Sequence, residues 1–145
     1  RDPAKGQSLM KLDPQIRIVD MRQRKVVRVI PGDSESMAWS PDGTRIAATG
    51  ESSLDVFDPH TGERIVHEEI ENAGHMRVRY PPDGRYLLNS DMNERGTGKG
   101  IEIWDGRHQK LLQKIPGNIS SLAVSRDSKY FAAGGDGQTT IWQLK

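Results

Sequence analysis

Apolar and polar residues alternate along this chain in short runs, and the runs recur. MAWSPDGTRIAATGESSLDVFD (37–58) and LAVSRDSKYFAAGGDGQTTIWQ (122–143) align without a gap, and VRYPPDGRYLLNSD (78–91) fits the same frame. An apolar period of two marks strands, because successive side chains leave opposite faces of a sheet. In the strand before each turn, Met37/Trp39, Val78/Tyr80 and Leu122/Val124 point to one face, and Ala38, Arg79 and Ala123 to the other. Asp42-Gly43 and Asp83-Gly84 supply the turns, with glycine free to take a positive φ that strains other residues. The strands that follow, RIAATG, YLLNS and YFAAGG, keep small residues such as Ala47, Ala48, Ala132 and Ala133. Two apolar faces with small side chains predict sheets packed closely on sheets.

The repetition has a measurable period. Pro41, Pro82 and Arg126, each preceding an aspartate, are 41 and 44 residues apart, the spacing of a four-stranded propeller blade. A second anchor agrees: IRIVD (16–20), LDVFD (54–58), IEIWD (101–105) and TTIWQ (139–143) are four copies of one strand. Between the second and third copies the frame is stretched. Asp91 to Asp105 spans 14 positions where Gly50 to Asp58 spans 8, so MNERGTGKG (92–100) is an insertion.

Gly96, Gly98, Lys99 and Gly100 give that insertion the look of a phosphate-binding loop, but the chemistry fails at both ends. A P-loop needs a first glycine where Asn93 stands, a hydroxyl where Gly100 stands, and a helix afterwards. Ile101-Glu102-Ile103-Trp104 continues instead with strand periodicity. The segment is expected to be an inter-strand loop.

Composition narrows the class further. The chain has 145 residues, the length of one ordinary domain. Only 34% are apolar, and 15 glycines and 8 prolines supply turns for many short strands. With 21 basic and 20 acidic residues the net charge is +1, so no general field favours nucleic acid or an anionic membrane, and neither is an expected partner. The basic run Arg22, Arg24, Lys25 and Arg28 reads as a solvated edge. Cysteine is absent, which excludes disulfides and thiolate chemistry and fits either redox compartment. The histidines at 60, 67, 75 and 108 show no metal-ligand spacing, and no metal or other cofactor is expected. No apolar run approaches the roughly 18 residues of a membrane span, and RDPAKGQS lacks a signal peptide's hydrophobic region.

At this point the sequence resembles the WD40-repeat β-propellers. The resemblance is carried by Ser40-Pro41-Asp42-Gly43 and its echo Pro81-Pro82-Asp83-Gly84, by Gly74-His75, Ile103-Trp104-Asp105 and Asp58-Pro59-His60-Thr61-Gly62, and by Gly135-Asp136-Gly137 leading into Ile141-Trp142. It runs from about residue 14 to 145. TolB-like and other propellers share the Ser-Pro-Asp-Gly turn, so the motifs specify a propeller more firmly than a subclass. The resemblance implies an all-β chain of four-stranded antiparallel blades, about three to three and a half of them. Residues 1–13 form an irregular lead-in, 14–31 a partial blade, 32–70 a repeat, 71–114 a repeat carrying the insertion, and 115–145 a last repeat without an outer strand. Propellers close with four to eight blades. A partial propeller completed by other chains, or a piece of a longer chain, is therefore expected.

The family often links its strands through Asp, His, Ser and Trp side chains, and no copy here is complete. His75 and Trp104 match in the middle copy and Asp136 and Trp142 in the last, so apolar packing is expected to carry more of the rigidity. No GxSxG nucleophile motif occurs, and Glu68-Glu69 reads as a solvated pair on an outer strand. The resemblance implies a non-enzymatic scaffold that binds a protein or peptide partner, with a homo-oligomer as a further way to complete the ring. The alternative is the propeller portion of a larger hydrolase, lactonase, oxidoreductase or sensor whose active residues lie elsewhere. Candidate partner-binding residues are those that break the repeat. Arg77 and Arg79 replace Ser36/Ala38 and Ser121/Ala123 on the innermost strand, where an arginine calls for an anion. A salt bridge to Asp33 or Glu35 is the structural alternative. Glu35, His75 beside the arginines, and Arg95 and Lys99 in the insertion complete the candidates.

Overall fold

The computed structural model describes residues 13–70, 74–92, 100–106 and 110–145, except the side chains of His75 and Met92. They form thirteen strands and no helix. A hairpin of β1 (Gln15–Asp20) and β2 (Lys25–Pro31) comes first. A four-stranded sheet follows, with β3 (Ser36–Trp39), β4 (Ile46–Thr49), β5 (Ser53–Phe57) and β6 (Arg64–Glu69). The next four-stranded sheet holds β7 (His75–Arg79), β8 (Tyr86–Met92), β9 (Gly100–Asp105) and β10 (Leu111–Ile115). A three-stranded sheet closes the series, with β11 (Ser121–Val124), β12 (Tyr130–Gly135) and β13 (Gln138–Gln143). Within each sheet neighbours in sequence pair antiparallel, in order from the first strand to the last. The four copies of the repeated strand are β1, β5, β9 and β13, as their alternation predicts.

The sheets stack in chain order. Their first strands converge, with β7 lying against β3 on one side and β11 on the other, so this edge is the inner one and β6 and β10 are outer strands. Each gap has its own core. Ile16 and Ile30 of the hairpin meet Ala48 and Phe57. Ala47, Leu54 and Val56 meet Met76, Val78, Tyr80, Leu87 and Trp104 in the next gap. Leu88, Ile101 and Ile103 meet Leu122, Phe131 and Ala133 in the last. Leu87 and Leu88 are both fully buried, one in each of the last two gaps, because consecutive strand residues face opposite ways. Across β12 and β13, Phe131 and Trp142 are direct partners whose rings stack at 5.1 Å.

Period two sends Met37/Trp39, Val78/Tyr80 and Leu122/Val124 to the same face of each sheet, the one toward the preceding sheet. The last two pairs join cores. Met37 and Trp39 remain 50% and 51% exposed, because the preceding sheet is a two-stranded hairpin that does not reach the inner strand. At the other end of the stack, Ile141 is 68% exposed on the uncovered face of the three-stranded sheet. The fold is an open stack of propeller blades.

Turn chemistry follows the sequence. Gly43 and Gly84 have φ of 73° and 69°, and Ser128 takes the equivalent place with φ 59°. The aspartates ending IRIVD and LDVFD brace the turns to the outer strands. Asp20 accepts from the N–H groups of Arg22 (2.8 Å) and Gln23 (2.9 Å), and Asp58 from those of His60 (2.7 Å) and Thr61 (3.2 Å). A short polar side chain that bonds its own backbone two residues on is what such a turn requires.

Candidate functional site

The inner edge of the stack is built from β3, β7 and β11. Val78 donates its backbone N–H to the Ser36 hydroxyl at 3.2 Å, tying β7 to β3. Alternation along β7 puts Met76, Val78 and Tyr80 in the core toward β3 and turns Arg77 and Arg79 to the opposite face. There Arg77 stands opposite Ser90 and Arg79 opposite Leu88. Arg77 is exposed and Arg79 half-buried. Arg79 donates from Nη1 to the Val78 carbonyl at 2.8 Å.

The alternative salt bridge to Asp33 or Glu35 is not formed: among the described residues no carboxylate makes an ion pair with Arg77 or Arg79. The reason is facial. Asp33 lies beside Gly50 in the preceding sheet, whereas the arginines turn toward the following one. Glu35 is exposed and its N–H donates to the Thr49 carbonyl at 2.6 Å. Ser90, directly across from Arg77, is fully buried, and its hydroxyl finds no partner among the described residues. His75 begins β7 and pairs with Met92, but its side chain, with Arg95 and Lys99, lies outside the described residues. Of the six sequence candidates, the structure gathers Arg77 and Arg79 on one face.

The repeated acidic turns have a structural role. The Ser40 hydroxyl donates to Asp42 at 2.6 Å and accepts from the Arg45 N–H at 3.0 Å, and Asp42 also accepts from the Thr44 N–H at 3.0 Å and hydroxyl at 2.8 Å. Ser125, Asp127 and Lys129 repeat the arrangement, with bonds of 2.6 and 3.0 Å. The Ser40 hydroxyl, then the Thr44 groups, draw the Asp42 carboxyl down to about 2. Asp127 is lowered likewise, first by Ser125. In the middle copy Pro81 replaces that serine, and Arg85 Nε meets Asp83 at 2.7 Å instead. The Tyr80 hydroxyl is buried without a partner among the described residues, and desolvation pushes it up to about 12. A groove of about 540 Å³ separates the first two turns, lined by Asp42, Thr44, Arg45 and Asp83.

Two features legible only in three dimensions complete the polar inventory. Asp55, buried on β5, accepts from Ser53 at 2.9 Å and contacts His67 Nδ1 at 2.7 Å and Arg64 at 3.6 Å. The carboxylate sits between hydroxyl and imidazole, not the imidazole between the other two, so this is not the order of a nucleophilic triad. The buried Glu102 pairs with Lys114 at 2.8 Å. Trp104 Nε1 is buried with no partner among the described residues, so the side-chain network typical of the resemblance is not formed at this tryptophan. Among the described residues no group of three His, Asp or Glu side chains is placed to hold a metal ion.

Comparison with known proteins agrees with this architecture. The family model "WD domain, G-beta repeat" matches residues 109–143, a span that opens on the outer strand β10 and closes with β13. The guanine nucleotide-binding protein subunit beta-1 of Drosophila melanogaster is 22% identical over 143 residues, which cover 96% of this chain and 42% of that protein. The G(I)/G(S)/G(T) subunit beta-1 of Homarus americanus is 22% identical over 138 residues, or 92% of this chain and 40% of that one. The chain thus spans about two fifths of the curated relatives it matches. Among solved structures, hydrazine synthase of Kuenenia stuttgartiensis superposes with a TM-score of 0.70 at 17% identity, over 89% of this chain and 40% of that chain. Residues 109–143 therefore match a WD40 repeat, and the chain as a whole is an open stack of propeller blades similar to those of WD40 proteins.

Proposed function

We propose that this chain is part of a non-enzymatic scaffold on which a protein partner docks at the inner edge, through an acidic group received by Arg77 and Arg79. The similarity to guanine nucleotide-binding protein beta subunits supports an interaction role in general. The observation that carries the specific reading is the pair of arginines on one face of the inner strand, without a carboxylate partner among the described residues. Guanidinium groups favour planar anions such as carboxylates, which they bind through paired hydrogen bonds. At the equivalent places the neighbouring blades carry Ser36/Ala38 and Ser121/Ala123, so the blade architecture does not itself require arginine.

Replacing Arg77 by Ser and Arg79 by Ala tests the reading. Stability should change by no more than about 0.5 kcal/mol, the usual range for surface positions. Binding of a fluorescein-labelled hexa-aspartate peptide at low salt should fall at least tenfold. A loss of stability well above that range, with peptide binding intact, would make the arginines structural.

A further inference from the structure

The groove between the first two acidic turns brings together two residues that break the repeat. It lies in the seam between the two four-stranded sheets, so both blades that flank it have all their strands. Arg45, in its lining, stands where the other copies carry Tyr86 and Tyr130. It is half-buried, and among the described residues its guanidinium makes neither an ion pair nor a hydrogen bond. Tyr80 stands where the other copies carry Trp39 and Val124. Its hydroxyl, buried and without a partner among the described residues, lies close enough to Arg45 and Asp42 for both charges to act on it. That puts it beneath the groove those two residues line. Desolvation keeps it protonated and therefore a donor. An unpaired buried hydroxyl costs stability, and the blade does not require one, since tryptophan and valine fill the same place elsewhere. Asp42 and Asp83 supply the acidic part of the lining. Asp83 is held by Arg85, but the three bonds to Asp42 all end on Oδ1, which leaves Oδ2 open.

We propose that this groove binds a small zwitterion of the α-amino-acid kind, its carboxylate received by Arg45 and the Tyr80 hydroxyl and its ammonium by Asp42. The mixed charge of the lining selects the class. A simple anion would meet Asp42 and Asp83 as well as Arg45, and a simple cation would meet Arg45, so only a ligand of both signs finds every charge complemented. A guanidinium fork matches a carboxylate through two parallel hydrogen bonds, and a neighbouring hydroxyl adds a third. The groove's volume of about 540 Å³ falls in the range of about 300–1,000 Å³ usual for small-molecule sites. The inner-edge arginines take no part, so this site stands or falls apart from theirs.

The common amino acids, each titrated at low salt into the nitrogen-15-labelled chain, are the probes, and the backbone N–H resonances of Thr44 and Gly84 are the readout. At least one amino acid should shift both resonances saturably. Its counterparts lacking the amino group or the carboxylate should bind at least tenfold more weakly. Arg45→Gln should weaken the intact amino acid at least tenfold. Tyr80→Phe should weaken it at least threefold while leaving the chain no less stable to heat, so that binding and stability move in opposite directions, which a merely structural tyrosine would not show. The chain carrying Arg77→Ser and Arg79→Ala should bind it unchanged. Absence of a saturable shift with every amino acid overturns the proposal. So does equal binding of the counterpart without the amino group, or binding indifferent to both Arg45→Gln and Tyr80→Phe.

Discussion

Leu88→Ala should damage one gap of the stack and leave its neighbour standing. Leu88 has no exposed surface and packs with Ile101, Ile103, Leu122 and Phe131. Its backbone is held on both sides, by β7 and β9, so the walls of the cavity have little freedom to close over it. Buried leucine truncations cost about 2–5 kcal/mol, and sites that cannot collapse lie in the upper part of that range. A loss of about 3–4 kcal/mol is therefore expected. Stacked repeats contact only their neighbours, so the loss should fall first on the interface concerned. Tryptophans report the two gaps separately, since Trp104 lies in the one before β7–β10 and Trp142 in the one after. Urea unfolding of two variants, one keeping only Trp104 and the other only Trp142, reads them out by fluorescence. With Leu88→Ala the Trp142 transition should move to lower urea and separate from that of Trp104. Leu87→Ala should reverse the order. A cost below about 1 kcal/mol, or a shift confined to Trp104, would refute the assignment of Leu88 to the last gap.

Two more predictions rest on the polar inventory. Tyr80→Phe removes a buried hydroxyl that has no partner among the described residues, so thermal unfolding should show a change between zero and about 1 kcal/mol in the stabilising direction, whereas losing a satisfied hydroxyl would destabilise. The Asp42 carboxyl is lowered from 3.8 to about 2 in the folded chain. Its contribution is thus complete above the unfolded value and disappears as pH falls through about 2. Carboxyl NMR titration should find Asp42 below the ordinary aspartate range, and Ser40→Ala should bring it back up. An unshifted Asp42 in the unsubstituted chain would remove the turn's hydrogen bonds from the account.

How much of this was legible in the sequence depends on the range of the interaction. Local chemistry was: the Asp-Gly turns, the four copies of the strand ending in Asp or Gln, and the period-two pattern that places Val78 and Arg79 on opposite faces. What faces a strand across a gap was not. Trp39 carries the same pattern as Tyr80 and Val124, yet stays half in water, because burial at that position depends on how many strands the preceding sheet has. The alternative salt bridge of Arg77 is absent for a related reason. Residues close in aligned repeats, such as Glu35 and Arg77, lie on different sheets and face different neighbours. Glu102 and Lys114 show the converse, a pair 12 residues apart that sheet register brings to 2.8 Å.

Ser128 has a consequence of another kind. It occupies the position that glycine holds in the other two turns, and its hydroxyl accepts the N–H of Asp83 from the turn of the preceding blade at 2.9 Å. The rim between the last two sheets is thereby stitched. Between the two four-stranded sheets, the corresponding turns are separated by the open groove at Asp42 and Asp83. The two seams are therefore tied at different depths, the last at its rim by Ser128 and the one before it at the inner strands, where Val78 bonds Ser36, so a force that splays the blades meets a cross-sheet hydrogen bond in either gap.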